Sequence, residues 1–416
     1  MNLPPSARRG VLRSRYLVAE EKIDLLEAVA AVQEPILREQ SGDRNVAVYV
    51  SIPFCPSRCH YCTFPAYRAQ AAVMEAYLGV LEEDIGLLVR DIAVFGLRVN
   101  AIYIGGGTPT ALEPEQLERL LGSLTRVLPP ERTVEFCCEA GRPDTLLADK
   151  LAILAGAGVN RLCINPQTLD DDTLRRIGRS HSVRDFYRAY ELARRTASWR
   201  INADMILGLP GEGEGHVERT TRELVKLGMD SITVHYLSLK RGSEMWLNSL
   251  ESEGAWLPDG MSAGVTERGR AGEDIRRELM GAGYQPYYLY RQKGMWGNME
   301  NIGYSSPGAW CLYNIVMISE SQHVVGLGAG AAGKIRLGSH GHKNLYCPKD
   351  IASYEKKFRE MAGIRRDLLG QNRHMPNFVS TERHKNFQRK SFDTYKIRMI
   401  QCNQERRNTD EEKGPG

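Results

Sequence analysis

Three cysteines stand within eight residues in Cys55-Pro56-Ser57-Arg58-Cys59-His60-Tyr61-Cys62, a CxxxCxxC run. Thiolates are the usual ligands of iron–sulfur clusters, and a four-iron, four-sulfur cubane held by three of them keeps one iron free of protein sulfur. That open iron can chelate the amino and carboxylate groups of S-adenosylmethionine (SAM). An electron passed into the sulfonium then breaks a carbon–sulfur bond and yields a 5′-deoxyadenosyl radical, while the protein supplies position and excludes water. Two other readings stand beside this one. Free cysteines often serve as small core hydrophobes, although these three share a tight loop with Ser57 and Arg58. Zinc could take the three thiolates with His60 as a fourth ligand. His60 directly follows Cys59, which makes simultaneous ligation awkward, and no second CxxC pair completes a zinc ribbon.

The elements that must position this loop form a repeating pattern. The β-rich runs are Val46–Ile52, Ala101–Ile104, Thr133–Cys138, Arg161–Ile164, Arg200–Ile206 and Ser231–Leu237, with helical stretches between them. Leu117, Leu120, Leu121 and Leu124 mark one helical face, and Pro114 near its start costs little there. Strand then helix, at roughly 30 or more residues per unit, is the signature of a parallel sheet. Six units are too few for a closed eightfold barrel, so the expected fold is α/β, a partial (β/α)6 TIM-like barrel or an open doubly wound sheet. Either architecture gathers ligands at the C-terminal strand ends, where the cysteine run falls.

Outside this unit, residues 1–45 read as a leader with one helix over about Ala19–Arg38, and residues 46–240 as the barrel. Residues 241–370 read as a smaller α+β C-terminal domain, with Tyr313–Ile318 as one of its strands, and residues 371–416 as a polar, disordered tail. Hydrophobic residues make up 42% and charged residues 25%, which permits a large core, and a net charge of +4 is too small to argue for nucleic acid. Nine cysteines, six of them scattered, do not make a secreted disulfide framework. Met1–Gly10 lacks the apolar stretch of a signal peptide, and no apolar run approaches the roughly 20 residues of a membrane span. A reducing cytoplasm is the expected location.

The motifs around the cysteines resemble the oxygen-independent coproporphyrinogen III oxidase family of radical SAM proteins. Tyr49-Val-Ser-Ile-Pro-Phe-Cys55 and Cys59-His-Tyr-Cys62-Thr-Phe match its opening, and Gly105-Gly106-Gly107-Thr108-Pro109-Thr110 matches its glycine motif. Glycines there let the backbone approach a ligand and offer it N–H groups. Glu139, Gln167, Arg179 and Asp204 follow in order, each at or just after a strand end. Singly, each could be an ordinary strand-end hydrogen bond. The resemblance implies that Gly106, Gly107, Thr108, Glu139, Gln167, Arg179 and Asp204 contact SAM, with Tyr49 and Tyr61 near its adenosyl part and Cys55, Cys59 and Cys62 on a [4Fe-4S] cluster. It extends through Tyr287-Tyr288-Leu289-Tyr290-Arg291, Asn298-Met299-Glu300-Asn301, Tyr313-Asn314 and Gly326–Ala331, covering about residues 19–370.

For function the resemblance implies oxidative decarboxylation of two propionates of coproporphyrinogen III to vinyl groups, giving protoporphyrinogen IX. The expected partners are a tetrapyrrole substrate and an electron donor, a reductase or a flavodoxin- or ferredoxin-type protein, with no nucleic acid and no membrane span. The alternative within the family is a heme-trafficking chaperone. Two positions depart from the pattern. The decarboxylases carry a further cysteine where this chain has Phe64, and the chaperones carry a histidine where it has Tyr313, before Asn314. The run Ser57–Tyr67 most resembles a third branch, commonly labelled coproporphyrinogen dehydrogenase. Lys240, Arg241, Arg291 and Lys293 are candidate cations for propionates by position. Gly328–Gly333 spells GxGxxG, but Lys334-Ile-Arg-Leu does not continue it as an amphipathic helix, so it reads as a close-packed turn. Cys137-Cys138, with Cys163, Cys311, Cys347 and Cys402, reads as packing rather than a second cluster.

Overall fold

The computed structural model describes residues 5–40, 42–68, 70–128, 134–251, 265–292, 295, 299–338 and 341–371. The expected tail from residue 372 onward and Lys293 lie outside the described residues. The chain opens with α1 (Pro5–Tyr16), α2 (Glu20–Gln40) and β1 (Asn45–Ile52). Two short strands, β2 (Phe54–Cys55) and β3 (Tyr67–Arg68), bracket the cysteine loop. There follow α3 (Ala71–Phe95), β4 (Arg98–Gly106), α4 (Pro114–Thr125), β5 (Glu135–Glu139), α5 (Ala148–Gly156) and β6 (Arg161–Cys163). Next come α6 (Asp171–Arg176), α7 (Val183–Thr196), β7 (Arg200–Leu207), α8 (Glu214–Lys226) and β8 (Ser231–Tyr236). The chain then adds α9 (Glu244–Glu251), α10 (Val265–Gly281), β9 (Gln285–Tyr290), β10 (Asn301–Ser305) and α11 (Leu312–Ser319). It closes with β11 (His323–Leu327), β12 (Ala332–Arg336), β13 (His342–Tyr346) and α12 (Ile351–Gln371).

β1 and β4 to β8 lie side by side in chain order and are all parallel, the six β/α units of a partial barrel. The strands after residue 240 extend this same sheet at both edges. β10 and β9 add antiparallel beyond β8, while β11 joins β1 in parallel and carries β12 and β13 outward. The sheet order runs from β13 to β9 and does not close on itself.

Alternation along β1 sorts the two faces. Val46, Val48 and Val50 pack outward with α3 and α4 into the largest core, where Leu117, Leu120, Leu121 and Leu124 of α4 are all buried. Burying each such leucine contributes roughly 1.5–3 kcal/mol. The start of α4 is set by Pro114 in its first turn and a reciprocal cap between Glu113 and Gln116. Ala47 points the other way, into a second core with α2, α11, Tyr287 and Tyr288. α2 therefore closes the concave face against β9, and Gln33 Nε2 donates to the Tyr287 carbonyl at 2.8 Å. The leader carries a second helix, α1, ahead of the expected one; its residues lack a clear apolar stripe.

One element differs in kind from expectation. Tyr313–Ile318 is part of the helix α11, not a strand. A short, mostly apolar run carries too little periodicity to separate the two. Tertiary contacts decide: the Glu135 carboxylate on β5 accepts from the N–H groups of Leu312 and Tyr313, both at 2.9 Å, and so caps the helix start. Glu135 is itself held by the buried Arg161, whose guanidinium also donates to Asn202 Oδ1 and the Trp310 carbonyl, each at 2.7 Å. This network floors the barrel. The opposite end, at the C-terminal strand tips, carries the cysteine loop.

Candidate functional site

The loop after β1 is pinned on both flanks. β2 pairs in parallel with β3, which ties Phe54 to Tyr67 and Cys55 to Arg68 across the loop. On the far side the His60 N–H donates to the Ile177 carbonyl at 3.0 Å, and its Nδ1 sits 2.9 Å from the Arg176 carbonyl. The His60 carbonyl in turn accepts from Met245 N. A Cβ on Gly178, whose φ is +75°, would stand 2.7 Å from the His60 ring, so glycine is required for the ring to seat there. His60 thus anchors the loop and is turned away from zinc duty. Among the described residues no three His, Cys, Asp or Glu side chains converge on one ion position. A cubane spreads its thiolates over separate irons and does not need such convergence.

Cys55 and Cys59 are buried and Cys62 is half-buried. Burial pushes the Cys55 and Cys62 thiols up, opposed at Cys55 by a hydrogen bond with Thr108 and at Cys62 by the Phe64 backbone. Cys59 goes down: burial acts against its thiolate, but the charges of Arg179 and Arg142 and a hydrogen bond from Tyr61 outweigh it. Arg142 Nη2 donates to Cys59 Sγ at 2.8 Å. Arg179 is buried, donates from Nη1 to the carbonyls of Asn165 at 2.7 Å and Gly141 at 3.0 Å, and reaches the Tyr61 hydroxyl at 3.5 Å.

The glycine motif forms the wall beside Cys55. Gly107 N donates to the Ile52 carbonyl at 2.8 Å and Thr108 N to the Phe54 carbonyl at 2.7 Å. Thr108 Oγ1 lies 3.4 Å from Cys55 Sγ. Gly106 has φ +107°. At Gly107 a Cβ would meet the Phe54 carbonyl at 2.5 Å and Cys55 Sγ at 3.0 Å, so two chain segments cross here with no room for a side chain.

Across the mouth stand the carboxylates. Glu139 ends β5, and burial pushes it up to about 7; repulsion from Asp204 adds to this, and hydrogen bonds from Tyr103 and Gly106 oppose it. The Tyr103 hydroxyl donates to Glu139 Oε1 at 2.5 Å. Tyr103 also stacks on Tyr313 at 4.6 Å, and Tyr49 stacks on both, so three rings line the lumen below Glu139. Asp204 on β7 lies 3.6 Å from His235 Nε2 on β8, and the other ring nitrogen is 3.3 Å from the Tyr290 hydroxyl. Gln167 holds a left-handed backbone (φ +67°), which costs a non-glycine residue about 1–3 kcal/mol and persists where the surroundings enforce it. Here they do: its N–H donates to the Asp204 carbonyl and its carbonyl accepts from Ile206 N. Among the described residues its buried Oε1 has no hydrogen-bond partner, nor do Arg142 Nε, Arg179 Nε or either ring nitrogen of His181. Buried polar atoms left open in this way mark a place where a ligand or water completes the bonding.

Of the twelve residues singled out in the sequence, nine lie at the strand tips or in the loops just beyond, Tyr49 and Asp204 stand within β1 and β7, and Arg179 lies in the loop after α6. The structure adds Arg142, His181, His235 and Tyr290. His235 was legible as an inward position near the end of a strand; Arg142 and His181 sit in loops and carry no spacing relation to the cysteines. Of the candidate cations, Lys240 lies with its Nζ 5.9 Å from the centre of the exposed Phe64 ring, and burial holds its pKa below the usual lysine range. The GxGxxG segment is a turn between β11 and β12, with Gly328 and Gly330 at φ +93° and +75°. Cys137 and Cys163 face each other with Sγ atoms 3.5 Å apart inside the sheet.

Comparison with known proteins bears on the family and the fold. The sequence pattern of the Radical SAM superfamily matches residues 49–224. The chain is 38% identical over 352 residues to the oxygen-independent coproporphyrinogen-III oxidase-like protein HemZ of Bacillus subtilis, covering 83% of this chain and 69% of that protein. It is 33% identical to the heme chaperone HemW of the same organism, covering 70% and 71%. Among solved structures, coproporphyrinogen III oxidase (HemN) from Escherichia coli superposes with a TM-score of 0.59 at 20% identity, over 84% of this chain and 78% of that one. That likeness is one of fold. Among the described residues no helix is long and apolar enough to cross a membrane.

Proposed function

The chain belongs to the radical SAM superfamily, among the oxygen-independent coproporphyrinogen-III oxidase-like proteins, and we propose that it oxidatively decarboxylates propionate side chains of a tetrapyrrole, coproporphyrinogen III, to vinyl groups. The reading gives Cys55, Cys59 and Cys62 to a [4Fe-4S] cluster and the ring of Glu139, Gln167, Arg179 and Asp204 to SAM. When bound, these cofactors supply the hydrogen-abstracting radical. What carries the reading is the convergence of that ring with the cysteine loop at one end of one barrel.

The residues present fit those groups. The open Oε1 of Gln167 and Nε of Arg179 offer one acceptor and one donor. Asp204 offers a carboxylate for ribose hydroxyls, steadied by His235, and Glu139 offers one for an ammonium. Because Glu139 titrates near 7, a cation beside it draws off its proton and strengthens the contact. The Tyr49–Tyr103–Tyr313 stack excludes water from the lumen below. Each propionate loses a hydrogen atom to the radical, carbon dioxide, and one electron to an external acceptor, and the electron donor that first reduces the cluster is a reductase or a flavodoxin- or ferredoxin-type protein.

A second reading, heme trafficking without turnover, draws on the 33% identity to a heme chaperone and on Phe64 at the position of the decarboxylases' extra cysteine. One anaerobic experiment separates the two. Protein reconstituted with iron and sulfide is given SAM, a strong reductant, an electron acceptor and coproporphyrinogen III, and the porphyrins are separated by chromatography. SAM-dependent protoporphyrin, lost in Cys59→Ala, is the expected result. An intact cluster with no 5′-deoxyadenosine and no protoporphyrin, together with a stable Soret band on adding heme, refutes decarboxylation.

A further inference from the structure

Arg142 has no place among the SAM-contact positions, yet its guanidinium makes a direct polar contact with a candidate cluster ligand, Cys59. It follows β5 in Ala140-Gly141-Arg142 and is 5% exposed. Nη2 divides between Cys59 Sγ at 2.8 Å and the Ser57 carbonyl at 3.2 Å, and Nη1 donates to the Gly141 carbonyl at 3.3 Å. No Asp or Glu pairs with it among the described residues. A buried guanidinium without a carboxylate is costly unless another anion faces it. The Cys59 sulfur is the anion available. The backbone behind it is fixed: the Arg142 carbonyl accepts from Thr145 Oγ1 at 2.8 Å, and that hydroxyl lies 2.6 Å from Thr110 Oγ1 of the glycine motif. One arginine thus spans the cysteine loop and the wall opposite it.

We propose that Arg142 is a positioning residue that sets the reduction potential of the cluster through a charged N–H···S hydrogen bond to Cys59, and that it makes the cluster easier to reduce. Hydrogen bonds to cluster sulfurs and nearby charge are the protein's main levers on such potentials. Reduction adds negative charge, so a fixed cation at the sulfur stabilises the reduced state more than the oxidised one. Burial keeps the interaction from being screened. Arg179 also acts on Cys59 with its charge, but it spends its Nη1 on two carbonyls and meets Tyr61, so in Arg142→Gln the Arg179 charge stays and the variant reads the Arg142 contribution alone.

The inference rests on the cluster assignment, and the test keeps the two apart. Wild type, Arg142→Gln and Arg142→Lys are reconstituted anaerobically, assayed for iron and sulfide, and titrated electrochemically without SAM while the reduced cluster is followed by electron paramagnetic resonance. At one solution potential the ratio of reduced to oxidised cluster is expected to fall about tenfold in Arg142→Gln, a downward shift of about 59 mV for one electron. Arg142→Lys keeps the charge without the fork and is expected to fall by less. A fully loaded Arg142→Gln at the wild-type potential overturns the inference. Should Arg142→Gln fail to load, a loaded Arg142→Lys at or above the wild-type potential overturns it. A wild type that binds no cluster refutes the cluster assignment instead.

Discussion

Gly107→Ala is the sharpest steric test of the site. The added Cβ would lie 2.5 Å from the Phe54 carbonyl oxygen, 2.9 Å from the Ile52 carbonyl oxygen and 3.0 Å from Cys55 Sγ. Ordinary contact begins at 3.4 Å, so Phe54 must retreat by 0.9 Å, the difference between 3.4 and 2.5. Neither carbonyl is free to move, because Thr108 N and Gly107 N donate to them at 2.7 and 2.8 Å. Overpacking of this kind costs about 1–3 kcal/mol, and losing one of the two hydrogen bonds adds about 1 kcal/mol. A total loss of about 2–4 kcal/mol is expected from denaturant unfolding of the apoprotein. Cys55 rides on the displaced segment, so iron and sulfide per chain after reconstitution should also fall. Gly141→Ala is the control: nothing lies within 4 Å of its Cβ, and it should stay within about 0.5 kcal/mol of wild type. An alanine at 107 with wild-type stability and full iron would refute the crossing geometry.

Glu139→Gln should change how stability depends on pH. The native carboxyl titrates near 7 and the unfolded one near its ordinary 4.5, so between those values only the native state holds the proton. Wild-type stability therefore falls as pH rises through that window, by up to about 3 kcal/mol, and the variant should lack this slope in unfolding curves taken at pH 5 and 8. Parallel slopes would place Glu139 in a more solvated site. Arg161→Met removes the donor that Glu135, Asn202 and Trp310 share and should cost about 3–5 kcal/mol; a loss under 1 kcal/mol in denaturant unfolding would show that Glu135 is satisfied by the α11 amides alone. Asp204→Asn should weaken SAM about tenfold or more in calorimetric titration of the reconstituted protein while leaving unfolding nearly unchanged. Unchanged affinity would remove Asp204 from the site.

The six-strand heart of the fold was legible because each strand is a short apolar run followed by a helix with one leucine-rich face, and two independent periodicities agree on every unit. β1, β7 and β8 fall within a residue of their expected bounds. Partner choice was not legible. β11 reads like any apolar strand, and nothing in its residues says that it pairs with β1, separated from it by the whole barrel. α11 was hidden for a related reason: the carboxylate that caps it comes from Glu135, more than 170 residues earlier. The cysteines were legible because ligand chemistry fixes their spacing locally. Arg142 and His181 were not, since neither stands at a fixed spacing from the cysteines, and Arg142 reaches their loop only through the fold.

The position before Asn314 shows how fold decides chemistry there. An iron ligand at this point must present a lone pair into the lumen. Tyr313 instead lies flat against Tyr103, with ring centres 4.6 Å apart and planes 25° from parallel, and its second neighbour is Tyr49. Burial, with Tyr49 and Glu139 nearby, pushes its hydroxyl well above the ordinary tyrosine range, so it carries no phenolate at neutral pH. The residue is anchored from below as well, because Glu135 holds its N–H and the start of its helix. A group that is neutral, stacked and pinned at its backbone is a wall. It shields the space beneath Glu139 from water, as a radical on a substrate carbon requires. The porphyrin assay decides between turnover and heme carriage from the product side.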